Sequence, residues 1–218
     1  MKFKIDFYAL ENADAEIIFI QECEQVPRDY FPGFDFHWVG HHEKKGLGVL
    51  TKGDSEFLQD VYSSKFVYFL PVAFKDILIL GTWAFNGRAK KFGEDASGYF
   101  LEVLEHYRDL IKSYGNIIVA GDFNNGPQWD VSGHPNNFAD INAALNRLGL
   151  KSAYHSYFSE DFGQESSHTY FHQRNPGKPF HIDYIYSNFK NVKSVRVEPF
   201  SEWSHLSDHV PLTAELEN

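Results

Sequence analysis

Two polar side chains meet where an apolar run stops, for Asn116-Ile117-Ile118-Val119-Ala120-Gly121 leads straight into Asp122-Phe123-Asn124. The branched apolar stretch bounded by Gly121 reads as a buried strand. Side chains alternate along a strand, so Asp122 and Asn124 face the same way if the strand persists to its end. An aspartate there takes a proton or holds a cation, and an asparagine beside it orients whatever is attacked. Asp and Asn are also ordinary turn residues, and this short motif alone does not separate a working pair from a polar turn.

Three further segments repeat the pattern. Ile17-Ile18-Phe19-Ile20-Gln21-Glu22 is an apolar run ending in an acid, with Ile18, Ile20 and Glu22 on one face. His181-Ile182-Asp183-Tyr184-Ile185-Tyr186 is strand-like and carries Asp183 beside His181 on its alternate face. Ser207-Asp208-His209 precedes Val210–Leu216, a last and peripheral strand, because Pro211 cannot donate to a ladder. Four such ends in one chain suggest convergence on one place.

The elements that must position these residues are mostly strands. The pattern predicts strands at 34–39, 46–51, 66–74, 77–85, 116–120, 180–187, 192–198 and 211–216. It predicts helices over 96–113 and 138–148, stopped by Gly115 and Gly149. Runs of strands with few helices favour two packed sheets covered by helices. No repeat or Pro/Gly/Ser linker divides the chain, so residues 1–218 read as a single domain.

The ordered set Gln21-Glu22, Gly121-Asp122-Phe123-Asn124, Ile182-Asp183-Tyr184-Ile185 and Ser207-Asp208-His209 resembles the endonuclease/exonuclease/phosphatase superfamily, from about Ala15 to the C-terminus. The resemblance implies an α/β fold: a four-layer α-β-β-α sandwich of two packed mixed sheets flanked by helices, with the active site at one end of the sheets. It implies Glu22 as the principal metal ligand and Asp208 as a nearby ligand. Asp122 then orients or deprotonates the attacking water, and Asn124 holds water and phosphate. Asp183 bonds His209, fixing its tautomer and favouring its cationic form, and His209 stabilises charge on the phosphoryl oxygens. Clustered carboxylates repel without a cation among them, and oxygen ligands suit Mg²⁺, with Mn²⁺ as a substitute. The implied activity is Mg²⁺-dependent hydrolysis of a phosphodiester, nuclease-like or on a small molecule, by in-line attack of water. Alternatives are a phosphomonoesterase acting on a phosphorylated metabolite or lipid headgroup, and a catalytically weak binding protein.

This chain also departs from the resemblance. Family members open with a strand ending in Trp-Asn, which is missing here, so Met1–Leu10 reads as the segment after an absent first strand. That loss predicts an unpaired edge beside the Asp122 strand. In Gly81–Arg88, Trp83 reads as packing, whereas Asn86 and Arg88 are candidates to bind phosphate, against the commoner solvated loop. His168 is a candidate substrate-binding residue on a loop near the active end, and His181 a candidate neighbour of Asp183. His41-His42 reads as a solvated turn.

Composition limits the partners. The 218 residues carry a formal charge of −10, with no long basic run. A phosphoester is the expected substrate, and nucleic acid is compatible with this charge, but tight duplex binding is not expected. Cys23 is the single cysteine, so no internal disulfide forms, and a reducing cytoplasm is expected. The apolar runs are too short to span a membrane, and no feature points to an obligate protein partner.

Overall fold

The computed structural model describes residues 14–85 and 100–218. The first strands are β1 (Ile17–Cys23), β2 (Asp35–His42), β3 (Lys45–Thr51), β4 (Glu56–Phe57), β5 (Phe69–Phe74) and β6 (Ile77–Trp83). Helices α1 (Phe100–His106) and α2 (Arg108–Ser113) follow, then β7 (Asn116–Asp122), α3 (Phe138–Arg147), β8 (Lys151–Ser152) and α4 (Ala153–Phe158). The chain continues through β9 (Tyr170–Phe171), β10 (Pro179–Phe180), β11 (Asp183–Ser187), β12 (Asn191–Val197), α5 (Phe200–Trp203) and β13 (Leu212–Glu217).

The fold is mixed α/β. Six strands form a sheet in the order β4-β5-β6-β7-β11-β8, in which the β6–β7 pair runs parallel and the others antiparallel. A parallel pair needs a long crossover, and α1 and α2 lie within it. Three more strands form an antiparallel sheet in the order β1-β3-β2, and β12 pairs with β13 at the periphery. One core packs Leu78, Leu80, Ile117 and Val119 of the large sheet against Phe100, Val103, Ile111, Ile141 and Leu145 of the helices. A second packs Leu70, Val72 and Ile79 against Leu47 and Val49 of the small sheet, with Ile17 and Phe19 at its margin. On the small sheet's other face Ile18 and Ile20 meet Phe31, Phe36 and Leu50. Strand β1 is thus packed on both faces, which is why it reads as a continuous apolar run.

Three expectations change. The predicted helix over 96–113 is broken at Tyr107, whose backbone (φ −90°, ψ 4°) leaves helical geometry, and residues 96–99 lie outside the described residues. The predicted strand at 66–74 begins at Phe69, because Ser64–Phe66 forms a 3₁₀ turn that drives Phe66 into the helix-side core. The unpaired edge expected beside the Asp122 strand is absent, since β7 is flanked by β6 and β11. Among the described residues β1 pairs with β3 alone, as β2 does on the other side of that sheet. Among the described residues no helix is long and apolar enough to cross a membrane.

Candidate active site

The ends of three adjacent strands build the site. Asp122 closes β7, with Trp83 in register on β6 and Asp183 in register on β11. Two carboxylates therefore stand directly opposite each other across an antiparallel pair, a destabilising arrangement for like charges. Gly121 is required just before Asp122: its φ is +136°, and a Cβ there would lie 2.0 Å from the Thr82 carbonyl oxygen. The strand stops at Asp122, and Asn124 (φ 47°) turns back toward it. The Asn124 backbone N–H donates to Asp122 Oδ1 (2.7 Å), and its Nδ2 donates to Asp122 Oδ2 (2.8 Å) and the Ala84 carbonyl (2.9 Å). The two residues come together through a local turn, not through strand alternation. Asp122 is buried, and burial first, then the Asp183 charge, push its carboxyl up to about 8, against the lowering effect of His209.

Asp183 Oδ2 lies 2.9 Å from His209 Nδ1. Burial alone lowers an imidazolium, but Asp183, Asp122 and Asp208 outweigh it and push His209 up to about 10. With Nδ1–H committed to Asp183, Nε2 is the donor that His209 presents to a ligand. The Tyr170 ring lies 4.6 Å from the His209 ring, and Phe180 lies 6.2 Å from Tyr170 and 5.1 Å from Trp129. These half-buried aromatics form a ledge leading away from the dyad.

Glu22 arrives from the small sheet. It is the extra residue of a bulge between Gln21 and Cys23, held at φ 59°. Bulges commonly re-aim a side chain next to an active site, and a left-handed glutamate stores strain there. The Glu22 carboxylate pairs with Lys45 Nζ at 2.9 Å, and Lys45 also lies 5.2 Å from the Trp83 ring centre. The negative charge of Glu22 reaches both Asp122 and Tyr170, so the two sheets contribute acids to one end of the molecule. Among the described residues, ligand atoms of Asp122, Asp183 and His209 lie within 4.8 Å of one another. Asp122 and Asp183 offer hard carboxylate oxygens in this group, with Asp122 pushed up by burial and then by the Asp183 charge, and these oxygens fit a divalent cation of the Mg²⁺ class.

The match to the Endonuclease/Exonuclease/phosphatase family spans residues 9–209. The chain belongs to this family. Its members are phosphoesterase and nuclease-type hydrolases, typically metal-dependent. The fold is similar to a 3'-5' exonuclease, NExo, from Neisseria meningitidis (21% identity, 95% of this chain and 91% of that chain covered, TM-score 0.71). It is also similar to a 3' phosphatase NExo variant from Neisseria bound to a product DNA hairpin (21%, 96% and 92%, 0.72). An AP endonuclease from Archaeoglobus fulgidus matches at 18% identity, covering 98% and 93%, with a TM-score of 0.69. No curated protein matches the chain.

Within this family member, Asp122, Asn124, Asp183 and His209 are joined by direct contacts, with Glu22 and Asp208 close enough to act on them electrostatically. Asn86 and Arg88 lie outside the described residues. His168 is half-buried beside Thr169, with no polar contact to the cluster among the described residues. His181 takes a structural place, the commoner outcome for such a histidine. It is buried against Tyr154 and Tyr184, and its Nδ1 bonds the Ser167 carbonyl at 2.9 Å. Strand geometry starts only at Asp183, so the alternation that would align His181 with Asp183 does not reach back to it. Trp83 is buried against Tyr68 and Phe85, as packing predicts. Lys45, Thr169 and Tyr170 escaped the sequence reading. Nothing local distinguishes Lys45 from Lys44, and only the pairing of distant segments reveals the other two.

Proposed function

We propose that this protein is a Mg²⁺-dependent phosphodiesterase of nuclease type, with its site at one end of a four-layer sandwich. The observation that carries this reading is the buried Asp122, raised to about 8 and braced by Asn124, facing the Asp183–His209 pair across one strand register. A general base works best with a pKa near the operating pH, so Asp122 takes the proton of the attacking water. Asn124 keeps that carboxylate in place. With Nδ2 committed to Asp122 and Ala84, it offers the water its Oδ1 acceptor. His209, held cationic by Asp183, donates from Nε2 to a phosphoryl oxygen and steadies the charge that develops there. Glu22 and Asp208 would hold the cation, which supplies Lewis-acid polarisation of the phosphate and charge neutralisation on the leaving oxygen.

DNA is the favoured substrate class. A 3' phosphatase of similar fold is bound to a product DNA hairpin. The ledge of Tyr170, Phe180 and Trp129 beside His209 offers aromatic faces on which bases or sugars can pack. A net charge of −10 argues for local contacts near the scissile phosphate over a long duplex footprint. The Neisseria relative is an exonuclease and a 3' phosphatase, which puts a 3'-terminal phosphomonoester in the same test.

The test is a panel of nicked duplex, single-stranded DNA, 3'-phosphate-ended duplex and p-nitrophenyl phosphate, assayed with Mg²⁺, Mn²⁺ or EDTA. Cleavage of DNA that EDTA abolishes and Mg²⁺ restores is expected. Hydrolysis confined to p-nitrophenyl phosphate, or turnover indifferent to EDTA, would overturn the proposal.

A further inference from the structure

We propose that Thr169 is a positioning residue for the Asp183–His209 pair, a role that rests on the phosphodiesterase reading only for its kinetic consequence. Asp183 and His209 are 26 residues apart and must be brought within 2.9 Å by something other than local chain geometry. The segment that does this is Thr169 with the short strand β9 (Tyr170–Phe171) that follows it. On one side β9 pairs with Pro179–Phe180, which His181 and Ile182 connect to Asp183. On the other, Tyr170 bridges to His209, and the Phe171 N–H donates to the Asp208 carbonyl at 2.7 Å.

Thr169 uses its polar groups on both sides of this junction. Its backbone N–H donates to the Phe180 carbonyl (3.0 Å), and its carbonyl accepts from the Val210 N–H (2.8 Å). Its Oγ1 accepts two backbone N–H groups, from Ile182 and from Asp183, both at 3.1 Å. The hydroxyl thus fixes the peptide planes on either side of Ile182, leading into Asp183 just where the β11 ladder begins. Those planes set the direction of the Asp183 side chain. The Thr169 carbonyl fixes the residue after His209 in the same frame. Thr169 is 0% exposed, so its β-branched side chain is both rotamer-limited and enclosed. Replacing the hydroxyl with a methyl leaves two sheltered N–H groups competing for other acceptors. The Asp183 backbone then relaxes away from His209.

The experiment compares Thr169→Val, nearly isosteric but without the acceptor, with Thr169→Ser, which keeps it. Two readouts are taken on the purified full chain. The first is kcat and KM for Mg²⁺-dependent DNA cleavage. The second is the low-field proton resonance of His209 Nδ1–H, assigned by its absence in His209→Gln. Thr169→Val should lower kcat on the order of tenfold or more with KM nearly unchanged, because small misplacement of a reacting group is costly. It should also lose or broaden the resonance, and Thr169→Ser should restore both. A folded Thr169→Val with wild-type kcat and resonance overturns the proposal. If Thr169→Val does not fold, Thr169→Cys, whose sulfur is a weak acceptor, is compared with Thr169→Ser. Equal kcat and equal resonances in that pair overturn it as well. Absence of DNA cleavage in wild type would contradict the phosphodiesterase reading, while the resonance comparison would still test Thr169.

Discussion

The small sheet's far end and the active end use the same residue types to opposite effect. At the far end, where Thr51 pairs with Asp35, the Arg28 guanidinium forks onto both Asp35 oxygens. Ser55 N and Oγ donate to Asp35 Oδ2 at 3.1 and 3.2 Å, and His37 Nε2 lies 2.9 Å from Ser55 Oγ. Arg28 holds the Asp35 carboxyl down at about 2 against the effect of burial, and burial pushes His37 down. At the active end burial, and then the Asp183 charge, push Asp122 up, while Asp183, Asp122 and Asp208 push His209 up against burial. The far end is a finished polar knot that holds a loop. The active end is unfinished in a way that a cation and a phosphate would complete. Perturbed groups cluster at functional sites, and here the direction of the shift separates the two cases.

The sharpest break in this comparison is one substitution made twice. Asp122→Asn should lower DNA cleavage on the order of 10²–10⁴-fold, the usual worth of a general base, and above pH 8 should leave the melting temperature unchanged or higher, because there it removes a crowded buried charge. Asp35→Asn should leave cleavage unchanged and destabilise the fold by about 1–3 kcal/mol through groups left without their partner. Kinetics and thermal melts on the same preparations check both.

Metal binding gives the next largest contrast. Mg²⁺ should raise the melting temperature of wild type, Glu22→Gln should remove most of that gain, and Asp35→Asn should keep it. Equal shifts in wild type and Glu22→Gln would locate the cation elsewhere. Lys45→Met should tighten Mg²⁺ binding measured by titration calorimetry, because the Lys45 ammonium competes for the same carboxylate. Lys45 and Glu22 are both well exposed, so solvent screening keeps this effect small.

The pH dependence of stability should have opposite slopes at the two ends. Asp122 keeps its proton to about 8 when folded but only to about 3.9 when unfolded. Its contribution is therefore lost as pH rises between those values. His209 acts in the same direction between about 6.5 and its folded value of about 10. Asp35 and His37 act the other way, losing stability as pH falls through about 3.9 toward 2 and below about 6.5 respectively. In EDTA the melting temperature should decline from pH 6 to 9, with a shallower decline in Asp122→Asn. His37→Gln should flatten only the acid side. A wild-type melting temperature that rises from pH 6 to 9 in EDTA would contradict the assignment at the active end.

Much of this site was legible because strands advertise themselves locally. The runs that end at Glu22 and Asp122 and the one that Asp183 opens are apolar and bounded, so element and site residue could be read together. The Asp122–Asn124 contact was legible in identity but not in geometry, since a left-handed Asn124 replaces the expected alternation. Long-range pairing was not legible. Nothing near Thr169 announces that it joins Phe180 to Val210, and nothing near Lys45 announces Glu22. The unpaired edge was sought beside β7, because strand order depends on contacts between distant segments.

The most direct test of the central claim is the rate of Mg²⁺-dependent cleavage of a labelled DNA duplex by wild type and Asp122→Asn, each shown by circular dichroism to be folded. Wild type should cleave clearly and EDTA should abolish that cleavage, while Asp122→Asn should lose on the order of a hundredfold or more of the rate with a melting temperature above pH 8 no lower than wild type. Equal rates in the two folded proteins, or loss of rate matched by loss of fold, would contradict it.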